Sequence, residues 1–207
     1  MRRCVHGRAH TAIGAALGFA VARVAGASLN AESVWPALVT TVTGAIAAGL
    51  PDMLDMPNSA GRKALGASWG GIRQQIRRRG SLLGKVLLIP RAAGALVLDI
   101  FSGILPHRGP SHWLLTWALL SVLAYLGAEA WGASLAVALA ASVGYLSHLL
   151  ADGLTTAGMP YFGPFIRRRL HLLPRWLRFT AESGVQWVFV VAALLAALSV
   201  WWRWPAG

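Results

Sequence analysis

The chain has a single cysteine, Cys4, among its 207 residues, so no internal disulfide framework holds it together. It is also short of charge. Asp, Glu, Lys and Arg make up 13% of it, about half the share usual in a water-soluble globule. Acids are the scarcest class, seven against 19 Lys and Arg. These shortages exclude an ordinary soluble domain. With 56% hydrophobic residues they exclude disorder too, because so apolar a chain does not stay solvated and open. Also absent are an HExxH helix, a GxGxxG turn after a strand, a Walker loop and a CxxC pair, which leaves zincin, dinucleotide, nucleotide-hydrolysis and thiol-redox chemistry without their usual signals.

The formal charge is +12, and its distribution matters more than its sum. Arg2, Arg3 and Arg8 precede the first apolar run. Arg62, Lys63, Arg73, Arg77, Arg78, Arg79, Lys85 and Arg91 fill a middle stretch, and Arg167, Arg168, Arg169, Arg175 and Arg178 a late one. Between the clusters lie long, almost uncharged segments. A spanning helix needs about 20 mainly apolar residues, and five stretches qualify, roughly 11–29, 34–50, 113–131, 133–151 and 185–202. The pattern predicts a polytopic all-α membrane bundle of about five transmembrane helices. Gly14 and Gly18 stand at GxxxG spacing, which lets helix backbones approach closely in lipid. The first segment also imitates a signal peptide, although Arg23 interrupts its apolar run.

Segment 85–106 is apolar but carries Pro90, Arg91 and Asp99, and charge at mid-bilayer costs several kcal/mol. Read as re-entrant or interfacial, it leaves two helical hairpins and a fifth helix, with all three basic clusters on the cytoplasmic side as the positive-inside rule requires. The chain then reads as one domain over 1–207, with a basic cytoplasmic insertion at about 58–105.

Histidines and acids recur at the helix ends on that same side. His10 opens the first helix and Asp52 and Asp55 close the second in LPDMLD. His107 and His112 open the third in HRGPSH, His148 and Asp152 close the fourth in SHLLAD, and Glu182 precedes the fifth. His148 and Asp152, four residues apart, project from one helical face. Pro110 suits a first helical turn that presents His112 near the helix start. Imidazole and carboxylate without thiolate suit zinc, with manganese or iron also compatible. Six or seven candidate ligands exceed a mononuclear catalytic site and point to two metals, a clamp that activates a nucleophile and holds both oxygens of a displacement. Any one of these residues alone also reads as a snorkelling or capping group. His6 and His171 show no such pattern and read as structural. Ser111 beside His112 resembles a nucleophile and base only superficially, because neighbours on a helix point about 100 degrees apart. The ten tryptophans read mostly as interface anchors, Trp113, Trp131, Trp201 and Trp202 among them.

The strings AHTAIG, LPDMLDMPNS, HRGPSHWLL and GYLSHLLADGLTTAGMPYFGPF, in that order, resemble the YdjM-type family of membrane-bound metal-dependent hydrolases, described in bacteria as LexA-binding inner-membrane proteins. The likeness runs from His10 to about Pro164. It implies metal or catalytic roles for His10, Asp52, Asp55, His107, His112, His148 and Asp152. The family is grouped by motif with zinc-dependent phospholipase C and P1-type nucleases, which implies an α-helical fold and phosphoester hydrolysis. The family's LPDxDH is here stretched to LPDMLDM, with Met56 where a histidine is common. Its Ser-x-x-Glu reads Ser183 to Gln186, with Glu182 as the nearby acid.

The combined expectation is an inner-membrane hydrolase holding two divalent metals, zinc first, at the cytoplasmic face, with Asp52, Asp55, Arg108 and Glu182 assisting the chemistry. Arg108 could clamp a phosphate or pair with lipid headgroups or Asp52. A site at bilayer depth points to a lipid or lipid-linked substrate, with Tyr161, Phe162 and Phe165 at an acyl entrance or in interface packing. The competing expectation is a non-catalytic protein with a structural metal, whose basic stretch recruits anionic lipid or a cytoplasmic regulatory protein. Nucleic acid is the weakest candidate partner.

Overall fold

The computed structural model describes residues 6–27, 34–55, 108–166, 168–180 and 183–204, with isolated positions 72, 74, 77, 88, 89, 92, 93 and 96 between them. Among the described residues five helices can be followed: α1 (His6–Val24), α2 (Val34–Asp55), α3 (Leu114–Ala130), α4 (Leu135–Gly153) and α5 (Val185–Arg203). Short 3-10 turns cover Pro110–His112 and Arg175–Leu177. Among the described residues β structure is limited to two isolated bridges, Thr155 with Phe179 and Met159 with Leu170. The fold is therefore all-α. The re-entrant reading of 85–106 and the basic insertion fall outside the described residues, apart from those isolated positions.

Val34–Leu54, Leu135–Gly153 and Val185–Arg203 are long and apolar enough to cross a bilayer. α3 is apolar but has 17 residues, short of the usual spanning length. α1 has 19 residues, but Arg8, His10 and Arg23 dilute its apolar character. Outward-facing Leu38, Val42, Leu119, Leu123, Val188 and Leu195 are exposed, an apolar rim suited to lipid rather than water. α4 is the helix with a polar buried face, carrying Ser147, His148 and Asp152 beside Gly144, Tyr145 and Leu149. Ser134 caps its start, its hydroxyl accepting from the Ala136 amide at 3.2 Å. Gly132, with φ of 63°, makes the tight turn from α3 that the sequence predicts as a hairpin.

The most extensive helix contacts are α1 with α2 and α2 with α4, and α1 also meets α4 and α5. Backbone lies on backbone at their centre. A methyl group on Gly44 would overlap the Gly14 carbonyl, and one on Gly144 would overlap the Gly44 carbonyl. Gly18, the second glycine of the GxxxG pair, meets the Thr40 carbonyl in the same way. Such contact gains dispersion and needs no buried side chain between the helices. α5 is tied on by Trp201, whose Nε1–H donates to the Phe19 carbonyl at 2.9 Å while its ring stacks on Phe19 at 4.3 Å. Arg23 is accommodated there too: it donates to the Ala27 carbonyl at 2.9 Å and lies 5.2 Å from the Trp201 ring centre, a cation–π distance.

Gly44→Ala is expected to destabilise the bundle by about 2 kcal/mol, in the range for overpacking, measured by denaturant titration in detergent. Gly49→Ala, where the added carbon meets only Thr11 Oγ1 at 3.8 Å, should be neutral or slightly stabilising because alanine is the better helix former.

Candidate metal centre

Each polar side chain at the centre is placed by the local logic of its element. His10 lies four residues before Gly14 on α1. Asp52 lies two turns beyond Gly44, beside the fully buried Pro51 in the last turn of α2. His148 and Asp152 follow Gly144 at four and eight residues on α4. The donors thus extend the faces along which the helices touch. His112 comes from the chain ahead of α3 and closes the Pro110–His112 turn. Trp113 is extended (φ −88°, ψ 146°) and α3 starts only at Leu114, so His112 stands in a separate turn rather than in the first turn of the third helix. That turn is pinned by the Tyr145 hydroxyl, which donates to the Ser111 carbonyl.

His10, Asp52, His112, His148 and Asp152 are all buried, His112 and His148 completely. His112 Nε2 and His148 Nε2 are 3.2 Å apart. Asp52 Oδ1 stands 3.7 Å from the second and 3.9 Å from the first. On the other side of His148, Asp152 Oδ2 is 4.0 Å from the same Nε2, and Asp152 Oδ1 is 3.3 Å from His10 Nε2. Two overlapping triads result, His10–His148–Asp152 and Asp52–His112–His148, either of which could hold a metal ion. Tetrahedral zinc with bonds of 2.0–2.1 Å would set its nitrogen ligands about 3.4 Å apart, and the shortest separations are close to that. The donor set and its spacing fit a divalent metal.

The backbone settles how one ring is turned. His148 Nδ1 is 2.8 Å from the Ala48 carbonyl, which only accepts, so Nδ1–H donates and the Nε2 lone pair faces the other donors. This is the outer partner that a ligating histidine ordinarily has. His112 Nδ1 has one too, Ser111 Oγ at 2.8 Å. The expectation that Ser111 and His112 point apart is corrected here. Successive side chains diverge where they leave the backbone, but the Ser111 hydroxyl and the His112 ring turn back toward each other, and Ser111 meets the ring edge away from the cluster.

Arg108 has φ of 60°, a left-handed conformation that costs a non-glycine residue about 1–3 kcal/mol. The strained backbone delivers a buried guanidinium into the site: Nη2 lies 2.9 Å from Asp152 Oδ2 and Nη1 donates to the Gly158 carbonyl at 3.0 Å. Its carboxylate partner is therefore Asp152 rather than Asp52. Tyr161 does not stand at an open entrance either. It is buried, its hydroxyl donates to the Leu149 carbonyl at 2.9 Å, and burial pushes its phenol up to about 12. Phe162 and Phe165 are exposed. The Asp55 side chain, His107 and Glu182 lie outside the described residues. Gln186, which motif reading left in the background, is buried on α5 and shares a crevice with His10. His171 is peripheral, its ring nitrogen 3.2 Å from the Thr156 carbonyl.

Removing one partner of a buried ion pair typically costs 3–5 kcal/mol, so Arg108→Ala should lose about 3 kcal/mol of unfolding free energy by denaturant titration. Arg108→Lys should recover only part, because a single ammonium cannot reproduce the fork to Asp152 and Gly158.

No curated protein and no solved structure matches the chain. A family model does, the YdjM inner membrane protein, over residues 5–206. That span takes in every helix and every donor described above, and with three apolar helices of spanning length it places the chain in the YdjM family of inner membrane proteins.

Proposed function

We propose that the protein is a metal-dependent hydrolase of the inner membrane that cleaves a phosphoester of a lipid or lipid-linked substrate. The observation that carries this reading is the convergence of three imidazoles and two carboxylates, all buried, from α1, α2, α4 and the Pro110–His112 turn. Carboxylates and imidazoles gathered away from water are costly unless a cation or hydrogen bonds compensate them. A divalent metal, zinc first by donor type with manganese or iron also compatible, would there polarise a phosphoryl oxygen and lower the pKa of a water. His10, His148 and Asp152 would hold it on one side, and Asp52 and His112 with His148 on the other. His148 offers a single Nε2 to both triads, so a second metal would draw on further donors, for which Asp55 and His107 are placed in sequence. Arg108 acts through Asp152, orienting its carboxylate, rather than as a phosphate clamp.

Three of the helices are long and apolar enough to span a bilayer, and the positive-inside pattern supports a cytoplasmic face for the donor ends. The apolar rim beside the cluster favours a substrate that arrives from the bilayer. A second reading rests on the complete burial of His112 and His148. A catalytic metal keeps an open coordination position, whereas a structural one is closed. In that reading the metal braces the bundle, and the basic stretch from Arg62 to Arg91 recruits anionic lipid or a cytoplasmic regulatory protein.

Metal content per chain and phosphate release from phospholipids and lipid-linked phosphates are measured together on purified protein. The hydrolase reading expects His148→Ala and Asp152→Ala to lose bound metal and at least 100-fold in turnover while still inserting and folding. Turnover retained in both variants would sink it. Chelation that lowers the unfolding temperature of a protein inactive on every substrate tested would favour the structural reading.

A further inference from the structure

His10 differs from the other two imidazoles of the cluster. His148 and His112 each have an outer partner for Nδ1, the Ala48 carbonyl and Ser111 Oγ. His10 Nδ1 is buried and has no hydrogen-bond partner among the described residues. Its Nε2 edge is taken by Asp152, and its ring packs on His148 with centroids 4.2 Å apart. Facing the acceptor-only Asp152 carboxylate, Nε2 holds the proton of the metal-free ring. Once Nε2 binds a metal the proton sits on Nδ1, where an unpaired buried N–H costs about 1–3 kcal/mol, and a ligating histidine nearly always hands that N–H to an acceptor that fixes the tautomer.

Among the described residues the crevice beside His10 offers one polar side chain for that task. His10 lines a small crevice where α1, α4 and α5 meet, with Ile13, Leu154, Phe179, Phe189 and Gln186 among its walls. Every lining side chain other than His10 and Gln186 is apolar. The interior has room for about one water molecule. Gln186 is buried on the first turn of α5, and its carboxamide oxygen is an acceptor of the kind that an imidazole N–H needs.

We propose that Gln186 is the positioning residue of His10, accepting the Nδ1–H through one water held in this crevice and so leaving the Nε2 lone pair to a metal shared with His148 and Asp152. The proposal rests on the metal-site reading and adds α5 to it. It also gives the fifth helix, attached mainly through α1, a direct part in the site.

The test is zinc affinity of the full-length protein in detergent, by competition with a chelator, for the parent, Gln186→Leu, Gln186→Glu and Phe189→Leu. Gln186→Leu is expected to bind zinc 10–100-fold more weakly, the usual effect of losing a ligand's outer partner. Gln186→Glu, which keeps the acceptor, and Phe189→Leu, which changes only the apolar wall, should stay within about threefold of the parent. In nitrogen NMR of zinc-loaded, histidine-labelled protein, the parent His10 ring should carry its proton on Nδ1 alone, and Gln186→Leu under the same zinc load should show mixed tautomers. Three results would overturn the proposal: parental zinc affinity in Gln186→Leu, an equal loss in Phe189→Leu, or an unchanged His10 tautomer in Gln186→Leu. A parent that takes up no zinc would remove the metal-site reading and this proposal together, whereas a zinc-binding parent matched by Gln186→Leu would remove only the proposal.

Discussion

Backbone contact between α1, α2 and α4 sets the geometry of everything polar in this protein. Gly44 lies between Gly14 and Gly144 with no side chain intervening, and the interlock fixes the register of the three helices. From that point the donors follow by helical arithmetic. One turn along are His10 on α1, His148 on α4, and Ala48, whose carbonyl receives His148 Nδ1–H. Two turns along are Asp52 and Asp152. Sliding one helix by a residue would turn its donor about 100 degrees away and dissolve both triads. The small residues that let helices pack without a hydrophobic driving force therefore also determine whether five distant side chains meet.

Electrostatics supplies the second constraint. Asp152 has Arg108 and His10 within ion-pair distance. Among the described residues the ion-pair partners of Asp52 are the imidazoles of His112 at 3.9 Å and His148 at 3.7 Å. Two carboxylates and three imidazoles beside spanning helices would ordinarily be removed by selection for stability, since buried charge is costly unless paired. They are present here together with a strained Arg108 backbone and with outer hydrogen bonds on two rings. That is the pattern of a site whose geometry matters more than its contribution to folding.

Much of this is legible along the chain because it is local. His148 and Asp152 share a helical face by spacing alone, the Pro110 turn announces a presented histidine, and the apolar runs mark the helices within a few residues. What is not legible depends on segments far apart in sequence. GxxxG spacing marks Gly14 and Gly18 but cannot name Gly44 as the partner of Gly14. The pairing of Arg108 with Asp152 needs a left-handed residue that composition does not announce. Ser111 meets His112 because the two side chains turn back toward each other, a matter of rotamers that periodicity does not announce. Gln186 stands out only once α5 is packed beside His10. Two of the five expected spans are weaker in the structure for a simple reason: α3 is short, and α1 uses part of its length for charged and site residues.

The proposed metal centre requires the five buried donors to act as a nitrogen and oxygen cage. X-ray absorption at the zinc edge of the zinc-loaded protein tests that directly. The predicted result is a first shell of nitrogen and oxygen at about 2.0–2.1 Å, with the outer-shell scattering of at least two imidazoles and no sulfur. A six-coordinate oxygen shell without imidazole scattering, the signature of loosely held hydrated zinc, would contradict it.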